Sequence, residues 1–319
     1  MKSQRLALDN FSGPFITHGI DVIADPDAPE TAVYIFAVNH LPNPEFQTSE
    51  GKAKSVPKAR SQIELFHHAL GSRSATHVRS IWHPLITTPN DIYAESPRSF
   101  YVTNDHYYRE GLLRRVEDVV TEAKWSNVVH VQISDLKSTE SDAGITATVA
   151  LKAVQTNNGI GRGSSPDEIL LTSSLSGLLY LIQPSSKESD KTLTPLEAIF
   201  INSTVDNPSY FSDPYRQNDD DASGYVVPGL TRAVDLPRTH TDPSATDGVL
   251  VWYVQRGKDP AGKRWETRLL FEDDGSRIRT ASAAVIVPID PELEDGKKKG
   301  WLFVTGFLAE RMVAVKVDL

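Results

Sequence analysis

Residues 100–108 read FYVTNDHYY, an apolar, β-prone run that leads without a turn residue into Asn104, Asp105 and His106. An amide, a carboxylate and an imidazole at a strand end suit a hard cation, because calcium takes carbonyl and carboxylate oxygens together. Four other places present similar groups: Thr17-His18-Gly19-Ile20-Asp21, Val38-Asn39-His40, Asn157-Asn158-Gly159 and Val205-Asp206-Asn207-Pro208. Taken singly, each has an ordinary explanation. Asn-Gly and Asp-Asn-Pro are turn formers, Pro208 biases Asn207 toward extended backbone, and a lone His at a strand end commonly serves packing. Other chemistries are excluded more firmly. The chain has no cysteine, so there is no thiol nucleophile, disulfide framework or thiolate metal site. It has no G-x-S-x-G elbow of the serine hydrolases.

The elements that must position these groups are short. About fifteen runs rich in Val, Ile, Leu, Phe and Tyr, among them 16–23, 33–38, 62–67, 78–86, 100–104, 127–133 and 145–154, alternate with gaps of Gly, Pro, Asn, Asp and Ser. The spacing predicts an all-β chain, and with so many strands the blades of a β-propeller accommodate them better than one sandwich does. No WD- or kelch-type repeat is present. One segment breaks the β pattern: residues 109–124 place Leu112, Leu113, Val116, Val119 and Val120 at helical spacing, opposite Arg114, Arg115, Glu117, Asp118 and Glu122. This predicts an amphipathic helix, packed on a sheet edge, lying on a membrane surface or covering a site. The net charge of −9 over 319 residues excludes the basic face that nucleic acid requires. At 39% hydrophobic and 24% charged residues the chain can bury a sizeable core. Its first residues lead into no long apolar run, so no signal peptide or membrane span is expected within it.

As a set, the polar motifs resemble those of the serum paraoxonase/arylesterase family, including its fungal members. The matching stretches are FITHGIDVI, IFAVNH, QIELFHH, FYVTNDHYY, NNGI, TLTPL, STVDNPS and WLFVTGF, with TNDHYY and VDNPS the most specific. The resemblance implies a six-bladed propeller holding two calcium ions and hydrolysing aryl esters and lactones. It makes Asn104, Asn158, Asp206 and Asn207 ligands of a catalytic calcium. Asp105 and the backbone carbonyl of Ile20 would serve a structural one. His18 would be the general base on water, with His40 relaying the proton, and the 109–124 helix would offer a membrane or lipid contact. Calcium would polarise the ester carbonyl while an imidazole activates water, a coherent division of labour.

One departure stands out. The family pattern supplies a Glu-Asp pair well before the His-Gly motif, whereas only 17 residues precede His18 and none contains such a pair. Calcium affinity follows ligand charge, so a weakened site and a propeller lacking part or all of its first blade are expected. An N-terminally truncated chain, with sheet edges left unpaired, is the corresponding expectation. The alternatives are a non-catalytic propeller serving as a binding scaffold and a gluconolactonase- or strictosidine-synthase-like propeller enzyme.

Overall fold

A computed structural model describes residues 4–48, 56–120, 122–187, 189–217, 220–257 and 262–319. Two compact units form: Met1–Asn157 with Ser185–Leu193, and Asn158–Pro184 with Thr194–Leu319. Five small sheets follow one another along the chain. The first has the order β1-β5-β4-β3-β2, built from β1 (Ala7–Asp9), β2 (Thr17–Ala24), β3 (Ala32–Pro42), β4 (Ala59–Ala69) and β5 (Ser74–Ile81). The second is a meander of β6 (Pro89–Ser96), β7 (Ser99–Asn104), β8 (Ser126–Ile133) and β9 (Ile145–Val154). The third comprises β10 (Asn157–Arg162), β11 (Ile169–Ser173), β12 (Leu178–Pro184) and β13 (Leu193–Phe200). The fourth runs β14 (Ser209–Phe211), β15 (Gly224–Leu230), β16 (Val249–Arg256) and β17 (Trp265–Asp273), and the fifth β18 (Ala281–Ile289), β19 (Lys299–Gly306) and β20 (Val313–Asp318). Short helices are α1 (Pro44–Thr48), α2 (Leu112–Val119) and α3 (Leu236–Thr239).

The all-β expectation holds, and these are sheets of the propeller-blade kind. The blade count is corrected: five sheets form among the described residues, not six. Several strands escaped the periodicity reading for identifiable reasons. In β15, GYVVPGL, every residue is buried, so no apolar–polar alternation marks it. Pro228 is tolerated there because β14 pairs only with Gly224, Tyr225 and Val226, so no β14 residue needs an N–H from it, while its carbonyl accepts the Asp206 N–H at 2.9 Å. Strands β6 and β10 open on Pro-Asn-Asp and Asn-Asn-Gly, which read as turns. The outer edge of the first sheet, at β5, is covered by β1 running parallel to it.

The helix is a second correction. Expected over 109–124, it spans Leu112–Val119, entered through Gly111 at φ 93° and left by extended backbone at Val120; Thr121 lies outside the described residues. Its apolar stripe is not the buried face that packing on a sheet edge requires. Leu112 and Val119 are 79% exposed and Glu117 only 2%. Glu117 is drawn inward because its two carboxylate oxygens accept the N–H groups of Tyr107 and Tyr108, both at 2.8 Å. Among the described residues no helix is long and apolar enough to cross a membrane.

The first unit packs around Phe36, Ile63, Leu65, Ile92, Phe100 and Val129. Beside this core lies a charged one. Glu64 is fully buried on β4, and its carboxylate accepts hydrogen bonds from Asn39 Nδ2 (2.9 Å), Gln62 Nε2 (2.7 Å) and Ser80 Oγ (2.7 Å), with His77 Nε2 at 3.0 Å. Burial alone would raise the Glu64 pKa, but the bonds from His77, Asn39, Gln62 and Ser80 outweigh it and hold it below the ordinary carboxylate value. The linkage sign follows: this contribution is present above the unfolded pKa near 4.5 and is lost as pH falls through the lower folded value. Replacing Glu64 by Ala leaves these donors without their shared acceptor, and a loss of about 3 kcal/mol in a denaturant melt is expected. A change within a few tenths of the parent's stability would refute that role.

Candidate functional site

His18 owes its position to a β-bulge. Thr17 pairs with Asn39 and Ile20 with Ala37, so His18 and Gly19 together oppose the single residue Val38. Bulges re-aim side chains in this way and are frequent near active sites. Gly19 is required there: a Cβ would lie 2.3 Å from the Asn90 carbonyl oxygen and 2.5 Å from Asp91 Cα, where β2 runs against the start of β6. Asp21 ties the same strands by accepting the Ala94 N–H at 2.7 Å. The re-aimed imidazole places His18 Nδ1 3.2 Å from His40 Nε2. The expected histidine pair therefore forms.

Two residues behind it were not foreseen. Ser61 faces His40 directly across the β3–β4 ladder and its Oγ lies 2.8 Å from His40 Nδ1. Arg109, just past the TNDHYY run, donates from a guanidinium NH group to the same Oγ at 2.9 Å. The only sequence signal was proximity: Ser61 immediately precedes QIELFHH, and Arg109 immediately follows TNDHYY. Desolvation, the charge on His18 and that on Arg109 push the His40 pKa down to about 4, with Asp105 opposing. His18 is exposed at its rim, yet enough protein surrounds the ring for desolvation to lower its pKa, partly offset by Asp105. Both rings are neutral at pH 7 on this account.

Asn104 ends β7 and Asp105 follows it directly, but the two differ in what they can offer. The fully buried Asn104 uses its whole amide: Oδ1 accepts the N–H groups of Thr87 (2.9 Å) and Thr88 (3.0 Å), and Nδ2 donates to Leu85 O (2.8 Å) and Asn127 Oδ1 (2.9 Å). It clamps the 85–88 loop, and an ion would have to displace two N–H groups from its oxygen. Asp105 Oδ1 lies 3.0 Å from His106 Nδ1, whose other nitrogen is 3.2 Å from Asp118 on α2. Burial would raise the Asp105 pKa, but contact with His106 and the charges of His106, Arg114 and His18 lower it. Asp105 is thus an ionised carboxylate near the histidine pair.

In the second unit, the strand that carries Asn158 runs against the Asp206–Asn207 segment at Gly159, despite their separation in sequence. A Cβ on Gly159 would sit 2.4 Å from Asn207 Cα and 2.7 Å from its Oδ1, so only glycine admits this approach. The backbone is pinned by Asp206 N–H donating to Pro228 O (2.9 Å), Thr172 Oγ1 donating to Asp206 O (2.8 Å) and Asn207 N–H donating to Ser282 O (3.1 Å). Asn207 Oδ1 is buried with no hydrogen-bond donor among the described residues. An amide oxygen left in that state fits a cation ligand. Among the described residues, no three His, Cys, Asp or Glu side chains gather into a metal-binding group. Any calcium held here would depend on amide and carbonyl oxygens as much as on carboxylates.

Against known proteins, the arylesterase family profile matches residues 12–215, more than half of the chain. Serum paraoxonase/arylesterase 2 of Gallus gallus is 30% identical over 201 residues, covering 63% of this chain and 47% of that protein. Serum paraoxonase/arylesterase 1 of Mus musculus is 30% identical over 193 residues, covering 60% and 45% respectively. The chain thus aligns to about half the length of the curated relatives it matches. A periplasmic gluconolactonase of Pseudomonas aeruginosa aligns over 93% of this chain and 85% of its own at 10% identity, with a TM-score of 0.38, too loose a likeness to bear on fold or function. The profile match, carried through the histidine, TNDHYY and VDNPS motifs, establishes that this chain belongs to the arylesterase family.

Proposed function

We propose that the chain is a hydrolase of aryl esters and lactones, in which the His18–His40 pair handles the proton of the attacking water. The observation that carries this reading is the bulge that brings His18 Nδ1 within 3.2 Å of His40 Nε2. No packing need is met by aiming an exposed imidazole at a second one. His18, at the rim, would take the proton from water and hand one from Nδ1 to His40 Nε2 behind it, which would hold the charge until the proton returns. Low basicity of His40 suits a relay that returns the proton readily.

Calcium dependence belongs to the same proposal. Asn158, Asp206 and Asn207 would hold a catalytic ion, supported by the unbonded Asn207 oxygen. Asn104 is assigned as a ligand by the family resemblance, and its oxygen could coordinate only by releasing the N–H groups of Thr87 and Thr88. Asp105 and the Ile20 carbonyl would hold a structural ion. Bound calcium would polarise the substrate carbonyl. The occupied Asn104 oxygen favours a second reading, a family member that binds ligands without turning them over.

Turnover of aryl-ester and lactone substrates, with and without chelator, decides between these readings. His18→Gln is expected to lower kcat at least about a hundredfold while calcium affinity, read by calorimetry, stays unchanged. Asp206→Ala is expected to weaken calcium binding instead. Turnover indifferent to chelator would remove calcium from the mechanism, and none in the parent chain would favour the binding reading.

A stability profile tests the state of the pair independently. A His whose folded pKa is lowered stabilises the protein fully above its unfolded value of 6.5, and that contribution declines as pH falls toward about 4. His40→Gln should flatten the pH dependence of unfolding over this window. An unaltered slope would mean that His40 does not titrate as described.

A further inference from the structure

We propose that Ser61, held by Arg109, sets the proton order of the histidine pair, so that the resting His18 presents an Nε2–H rather than a lone pair. The inference rests on the hydrolase reading only for what His18 meets at the site. It follows from donor and acceptor counting. A guanidinium can only donate, so the Ser61 oxygen accepts at Arg109, 2.9 Å away. Ser61 is fully buried, and its remaining neighbour for hydrogen bonding among the described residues is His40 Nδ1 at 2.8 Å. A buried hydroxyl hydrogen without an acceptor is costly, so Ser61 O–H donates to His40 Nδ1.

The rest of the order is then determined. With Nδ1 accepting, neutral His40 carries its hydrogen on Nε2 and donates it to His18 Nδ1, 3.2 Å away. Neutral His18, accepting at Nδ1, carries its own hydrogen on Nε2. That ring meets a substrate first as a hydrogen-bond donor to a carbonyl oxygen or oxyanion. To accept a proton from water at Nε2, the pair must reverse: His18 Nδ1–H donates to His40, His40 Nδ1–H donates to Ser61, and Ser61 turns its hydrogen away from its acceptor. Ser61 and Arg109 are therefore positioning residues, acting through His40 and touching no reacting atom.

Nitrogen-15 NMR of the imidazoles in the labelled full chain, near neutral pH, reads this order directly. Signals are assigned through their loss in His18→Gln and His40→Gln. The expected pattern is Nε2–H on both rings, favoured about tenfold or more. In Ser61→Ala the His40 shifts should move toward an average of the two tautomers, and Ser61→Thr, which keeps a hydroxyl, should restore the parent pattern. An Nδ1–H tautomer on His40 in the parent, or a pattern unmoved by Ser61→Ala, overturns the proposal. Should Ser61→Ala fail to fold, the parent and Ser61→Thr spectra still decide it. The readout does not require turnover. An inactive chain with the expected order would sink the hydrolase reading alone, and an active chain with the opposite order would sink this one alone.

Discussion

The buried carboxylate of Glu64 is the interaction on which the first unit's site depends. It is fully buried, yet its oxygens are met by Asn39, Gln62, His77 and Ser80, drawn from three neighbouring strands of one sheet. Its lowered pKa distinguishes it from a catalytic acid, which burial would push upward and leave free to donate. Glu64 instead orients Asn39. The Asn39 amide also donates to Pro14 O at 3.2 Å and accepts the Ile16 N–H at 2.9 Å, fixing the chain just before His18. Successive residues of a strand point to opposite faces. Asn39 thus anchors the incoming segment on one side of β3, while His40 receives His18 on the other.

The same alternation explains what could be read from sequence and what could not. Short apolar runs between turn residues revealed the all-β class and most strands, because a half-buried strand writes its environment as period two. Where both faces are buried, as in β15, that signal vanishes. The His18–His40 pairing was legible through family resemblance, but its cause, the bulge at His18-Gly19, lies in a register no composition encodes. Ser61 and Arg109 were invisible for a related reason. A serine and an arginine are unremarkable until cross-strand pairing and a loop place them behind an imidazole.

Helix α2 shows how a local pattern can mislead. Its apolar residues recur at helical spacing, which ordinarily marks the buried stripe. Backbone N–H groups of Tyr107 and Tyr108 nevertheless lack strand partners where β7 ends, and Glu117 supplies acceptors for both. Two charge-assisted bonds in a dry site outweigh burial of one or two aliphatic side chains on so short a helix. Polar demand from the preceding loop therefore decides which face turns inward. Val119 and Leu112 remain outside as a consequence.

Asn104 and Asn207 carry this reasoning to the metal question. Both are asparagines in family-specific motifs, and residue type alone assigns both as calcium donors. A ligand, however, is an oxygen with a lone pair to give. Two backbone N–H groups occupy the Asn104 oxygen, whereas the Asn207 oxygen is buried and unmet among the described residues. The Asn207 oxygen is already withdrawn from the surface, so coordination there displaces no donor of the described residues. At Asn104 it must first displace two. Counting carboxylates therefore understates what limits calcium binding in this chain: each amide contributes according to the hydrogen bonds its oxygen must give up.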